Sequence, residues 1–172
     1  TLSEQINPKQ VVSLLNKYFS RMEQCIVKHN GIINKYIGDA IMAIFGVPLA
    51  NQNQAIDAYN CCLDMRKTLA ELNKELKAEN MPQLNFGIGL HTGNVLAGNI
   101  GSTSRMEYTV IGDTVNVASR IESLCKEYNC DLLVSETTVE SIVTCGGSLP
   151  QLESMGETPI RGRKTTISIY KG

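Results

Sequence analysis

Apolar residues first recur at helical spacing. In "NPKQVVSLLNKYFSRMEQCIVKHNG", Val11, Leu14, Leu15, Tyr18, Met22, Cys25 and Ile26 form one stripe, so a helix is predicted here. Asn7 suits its N-cap, Pro8 its first turn, and Gly31 the position just past its end. The pattern then changes to two short apolar runs, about 32–37 and 40–45, around Gly38-Asp39, which reads as a hairpin. A second helix, about 52–79, carries Ile56, Tyr59, Leu63, Leu69, Leu72 and Leu76 above a polar face.

Glycine punctuates the next stretch. "QLNFGIGLHTG" reads as a strand ending in a turn, "NVLAGNIG" as a short strand and "RMEYTVIGD" as another strand. "DTVNVASRIESLCKEYN" is helical from about Asp113, "DLLVS" is a short buried strand, and a helix follows near 136–143. Gly146–Ser148 reads as a mobile loop, and "TTISIYKG" as a final edge or hairpin strand. Helices interleave with hairpins rather than with single strands. This favours an α+β layer sandwich over a doubly wound parallel sheet.

Composition narrows the function classes. The 172 residues are 42% hydrophobic and 19% charged with net charge −1, a balance that argues against an obligatory nucleic-acid or acidic-membrane surface. No apolar run approaches the ~20 residues of a membrane span, and no signal peptide is seen. The six cysteines form no CxxC pair and have no nearby histidine at zinc spacing. They read as packing residues in a reducing cytoplasm, and a longer parent could be soluble or membrane-tethered. His29 and His91 are isolated in sequence and read as non-catalytic.

Two carboxylates sit at turns. A Gly-Asp turn such as Gly38-Asp39 is by itself ordinary hairpin chemistry. In "YTVIGDTVNVASR", however, a strand runs into Gly112-Asp113 and then a helix on which Asn116 and Arg120 share one face. A carboxylate tip and an Asn/Arg helix face would suit metal-assisted phosphoryl chemistry; spacing alone equally allows a solvated arginine and a helical asparagine.

"YIGDAIMAIFG", "GIGLHTGNVLAGNIGS" and "EYTVIGDTVNVASRIES" stand in the order found in the class III nucleotide cyclases, and the chain resembles that family from about residue 8 to its end. The resemblance implies a ferredoxin-like βαββαβ-type layer sandwich with a mostly antiparallel sheet. It also implies a head-to-tail homodimer with active sites built from both chains. Asp39 matches the second of two aspartates that hold two Mg²⁺ or Mn²⁺ ions, Asn116 the residue that orients the ribose, and Arg120 the one that stabilises charge on the α-phosphate. Arg161 falls where the family has a lysine for the terminal phosphates, although Lys164 is an alternative register. The implied reaction attacks the α-phosphorus of a nucleoside triphosphate with its 3′-hydroxyl, releasing pyrophosphate and a 3′,5′-cyclic nucleotide.

Lys35 and Thr109 match the base-reading pair. Lysine only donates, which suits adenine N1, whereas guanylate cyclases tend to place a glutamate there. A threonine hydroxyl can accept from the adenine amino group but can also donate. The pair resembles bacterial-type adenylate cyclases, so ATP is the expected substrate; the resemblance also implies regulatory domains in a larger parent and, from that subgroup, activation by bicarbonate. A guanylate cyclase and a non-catalytic cyclase-like regulatory domain are the alternatives. Family members also carry an upstream strand with a Phe-x-Asp-type motif supplying the first metal aspartate. No aspartate precedes Asp39 here. On that reading residues 1–172 are a single catalytic domain lacking its N-terminal strand, and the chain by itself is expected to have little or no activity. A lesser departure is Gly87, where relatives often have a basic residue.

Overall fold

The first helix, α1 (Pro8–Lys28), begins with a reciprocal cap: Asn7 Oδ1 accepts from the Gln10 backbone amide while the Gln10 side chain accepts from the Asn7 amide. The computed structural model of the chain describes residues 6–148, 152–159 and 166–172. At the other end of α1 the left-handed position belongs to Asn30 (φ 62°), not Gly31. Gly31 instead opens the first strand, where a Cβ would stand 2.6 Å from the Phe45 ring. The glycine there is required by close packing, not by helix termination.

Strands β1 (Gly31–Ile37) and β2 (Ala40–Phe45) form the expected hairpin. Its ladder is interrupted once: Ile33 pairs with Ala43 and Lys35 with Met42, leaving Asn34 as an extra, bulged residue. Helix α2 (Gln54–Ala78) packs beside α1, burying Leu14 and Met22 against Leu69, Leu72 and Leu76. Its exposed seam carries the Arg21–Glu75 ion pair at 2.7 Å and Lys28–Asp64 at 2.6 Å.

The remaining strands form a second hairpin, β4 (Leu96–Ser102) with β5 (Arg105–Ile111), and a four-stranded sheet. In that sheet β3 (Ile88–Leu90) pairs parallel with β6 (Leu132–Ser135), which pairs antiparallel with β8 (Thr166–Lys171), which pairs with β7 (Glu153–Pro159). Of the two readings of the last strand, edge or hairpin, the second holds: β8 forms an antiparallel hairpin with β7 and lies inside the sheet rather than at its edge. The edge belongs to β7, whose "ESMGETP" lacks the β-branched alternation that marks a strand and whose Pro159 an edge tolerates.

Strand β6 is buried along its whole length because both its faces are covered. Leu132 and Val134 pack on Tyr59 and Ile142, from α2 and helix α4 (Glu136–Thr144). Leu133 faces the other way, onto Val117 and Ile121 of helix α3 (Asp113–Glu127). Gly146 and Gly147, within the stretch read as a mobile loop, close α4 by donating backbone N–H hydrogen bonds to the Val143 and Ile142 carbonyls, at 3.0 Å each. The architecture is α+β with helices against mixed and antiparallel sheets, as the element order implied.

Candidate active site

Helix α3 lies close against β3, backbone to backbone. A Cβ on Gly89 would stand 2.3 Å from both the Ala118 carbonyl oxygen and the Glu122 amide nitrogen. Only glycine lets the strand reach the helix backbone. The same contact accounts for Gly87, where a Cβ would meet Cys125 Cβ at 3.0 Å and Glu122 Oε1 at 3.2 Å: a larger side chain would crowd α3. At the helix start, Thr114 Oγ1 donates to the Asn94 carbonyl at 2.7 Å, tying α3 to the loop after β3.

This seat fixes the orientation of α3. Val117 and Ile121 are fully buried, so Asn116 is left exposed and Arg120 half-buried, as their spacing required. Strand β5 runs into α3 through Gly112, which places Thr109 on the same connected unit.

Across from β5 stands the bulge of β1. Asn34 Nδ2 donates to the Tyr108 carbonyl at 3.2 Å, and Thr109 Oγ1 donates to Asn34 Oδ1 at 3.0 Å. These bonds bridge two hairpins that share no ladder, and they bring the neighbour of Lys35 onto Thr109. Lys35 itself is exposed on β1. Asn34 escapes a reading by motif, although a short polar residue within an apolar strand run is out of place there and could have drawn notice.

Asp39 is exposed at the tip of the first hairpin, after Gly38 with φ 63°. Its charge is felt by Tyr18, whose hydroxyl is pushed up to about 12 by burial first and by the Asp39 carboxylate second. Among the described residues no hydrogen bond or ion pair joins Asp39 to the Lys35–Thr109 side or to the Asn116–Arg120 face. The described residues hold no cluster of three or more His, Cys, Asp or Glu side chains suited to a metal ion. A lone exposed carboxylate fits Mg²⁺ that takes its other oxygens from substrate phosphates and water. Arg161 and Lys164 lie outside the described residues.

The other candidates belong to the scaffold. His29 Nε2 and Lys28 Nζ both reach Asp64 Oδ2, at 2.8 and 2.6 Å. They hold that carboxyl down from its ordinary 3.8 to about 2, Lys28 contributing most. His91 Nδ1 lies 2.8 Å from Ser135 Oγ. Cys25, Cys61, Cys62 and Cys125 are buried, in keeping with a packing role; Cys145 is exposed and donates to the Gln52 carbonyl. No helix among the described residues is long and apolar enough to cross a membrane.

Known proteins resemble this chain in sequence and in fold. The family model for the adenylate and guanylate cyclase catalytic domain matches residues 1–171. The adenylate cyclase of Anabaena cylindrica is 37% identical over 175 residues, an alignment covering 99% of this chain and 34% of that protein. Two solved structures superpose on the chain. The adenylyl cyclase CyaB from P. aeruginosa does so with a TM-score of 0.88 at 29% identity, over 99% of this chain and 85% of that one. The guanylyl cyclase Cya2 does so with a TM-score of 0.85 at 35% identity, over 98% and 83%. This chain spans about a third or less of the length of the curated relatives it matches first, 25% in one and 34% in another. With the family model covering all but the last residue, the chain belongs to the adenylate and guanylate cyclase catalytic domains.

Proposed function

We propose that this cyclase domain acts on ATP, forming 3′,5′-cyclic AMP and pyrophosphate at sites shared between two copies of the chain arranged head to tail. The observation that carries the choice of ATP is the bridge from Asn34 to Thr109, which ties the sequence neighbour of the donor-only Lys35 to a hydroxyl whose oxygen can accept. Adenine offers the complement, an acceptor at N1 and a donor at N6. Guanine reverses both.

The remaining roles follow from what each side chain can do. Arg120 presents a fixed, always charged fork of donors, suited to oxygens on the α-phosphate that gain charge as the 3′-hydroxyl attacks. Asn116, a turn earlier on the same face, has an amide that both donates and accepts, which suits holding a ribose ring oxygen or hydroxyl. Arg161 or Lys164 would take the terminal phosphates. Asp39 would hold divalent metal, which when bound lowers the pKa of the attacking hydroxyl and offsets phosphate charge.

Two features support assembly from two copies. Among the described residues no hydrogen bond or ion pair joins Asp39 to the Asn116–Arg120 face within one chain. The β4–β5 hairpin also leaves Leu96, Met106 and Ile111 more than half exposed, with Tyr108 42% exposed, an apolar face of the kind that subunit interfaces cover. Regulatory domains elsewhere in a longer polypeptide, and bicarbonate as an activator, belong to the same reading.

The test is product analysis with ATP or GTP and Mn²⁺, using the longest polypeptide the gene encodes. Cyclic AMP formed in preference to cyclic GMP is the expected result. A preference for GTP would overturn the base assignment, and no product from either nucleotide would favour a non-catalytic cyclase-like domain.

A further inference from the structure

We infer that Asn34 sets base specificity by fixing the direction of the Thr109 hydroxyl proton; the inference rests on the cyclase reading above. A threonine hydroxyl is ambivalent, and by itself could accept from the amino group of adenine or donate to the O6 of guanine. The bridge removes that freedom in two forced steps. The Tyr108 carbonyl can only accept, so the amide face turned toward it at 3.2 Å must be the NH₂ of Asn34. The opposite face is then Oδ1, which can also only accept. Thr109 Oγ1, 3.0 Å away, must therefore spend its single proton on Asn34. What Thr109 has left to offer a ligand is a pair of acceptor lone pairs.

The bulge makes this possible. In an unbroken ladder Asn34 would pair with β2 and alternate in register with its neighbours. As the extra residue between Ile33 and Lys35 it is released from that pairing and turns to β5. The same irregularity resets the alternation for Lys35. One residue, the sequence neighbour of Lys35, thus converts a two-way hydroxyl into an acceptor. Lys35 alone does not exclude guanine, since an ammonium can donate to O6 as well as to adenine N1. An acceptor held at the position that reads the 6-substituent does exclude it, because two lone pairs would face each other. Asn34 is thus a positioning residue that acts through Thr109.

The test measures kcat/KM for ATP and GTP in Asn34→Leu and Asn34→Asp variants of the longest encoded polypeptide. Leucine is close in size and suited to a strand, yet it removes both hydrogen bonds. The ATP-to-GTP ratio is expected to fall about tenfold, mainly by a gain in GTP use as the Thr109 proton becomes free. Aspartate still accepts from Thr109, so Asn34→Asp should hold the ratio within about twofold of wild type even if both turnovers fall. In a Thr109→Val background, Asn34→Leu should leave the ratio where Thr109→Val alone puts it. A merely structural Asn34 would lower both nucleotides together, and an unchanged ratio in Asn34→Leu would overturn the role. So would a ratio change that persists without the Thr109 hydroxyl. A wild-type protein that cyclises neither nucleotide overturns the cyclase reading itself, an outcome distinct from wild-type ATP preference that Asn34→Leu fails to change.

Discussion

Replacing Gly89 by alanine should disturb both stability and turnover, because the space a methyl group needs is filled by backbone. The new carbon would sit 2.3 Å from the Ala118 carbonyl oxygen and the Glu122 amide nitrogen, and 2.9 Å from Glu122 Cα. Unbonded carbon atoms settle at about 3.5–4.0 Å, so β3 and α3 must part by about 1 Å. Neither partner is a flexible side chain that could swing aside. Forced overpacking of this kind costs about 1–3 kcal/mol, which for a chain of this size lowers Tm by about 2–4 °C per kcal/mol. The same displacement carries Asn116 and Arg120 with it, and a shift of about 1 Å in a positioned catalytic group can cost on the order of 10²-fold in rate. Urea unfolding followed by far-UV dichroism gives the first quantity, and steady-state cyclic-nucleotide formation the second. Gly98→Ala serves as the stability control, since no atom lies within 4 Å of its new methyl, and it should change stability by less than about 0.5 kcal/mol. A Gly89→Ala protein with the wild-type urea midpoint and turnover would refute the argument that this glycine seats the helix.

Two further outcomes follow. Asp64 is held at about 2 by Lys28 and His29, so its stabilising effect is complete above its ordinary value of 3.8 and disappears as pH falls through about 2. Because the Lys28 side chain is 68% exposed, the contribution is at most about 1 kcal/mol after solvent screening. Urea midpoints measured from pH 5 to pH 2 should therefore fall less steeply in Asp64→Asn than in wild type, and identical slopes would contradict the assignment. Arg120→Ala should lower kcat by about 10²–10³ while moving KM far less, because its donors act on charge that develops during the reaction. An unchanged kcat would remove Arg120 from the chemistry.

The parts of the fold legible in the sequence are those whose burial has a simple period. Helix α1 announces itself through Asn7, Pro8 and a stripe that ends on Met22, Cys25 and Ile26, and the structure buries those last three. Strand β6 reads as a continuous apolar run because both its faces are covered, and α3 shows an Asn/Arg face because Val117 and Ile121 take the other. Strand β7 escaped because its pairing comes from β8, not from its own side chains. Gly31 was assigned to a helix end because a glycine needed for close packing and one needed for a turn look alike in a sequence. At the site, Lys35, Asp39, Thr109, Asn116 and Arg120 could be named from motifs. The bridge through Asn34 could not, since it depends on a bulge and on a contact between hairpins far apart in the chain.

The central claim is that Lys35 and Thr109 read adenine at a cyclase site. The most direct test gives equimolar ATP and GTP to wild type and to Lys35→Glu and measures the ratio of cyclic AMP to cyclic GMP formed. Glutamate accepts where lysine donates, and a hydrogen bond to a charged group is worth about 1.5–3 kcal/mol, so the ratio should fall by at least about tenfold. Wild-type preference for cyclic AMP that survives Lys35→Glu undiminished would contradict the account.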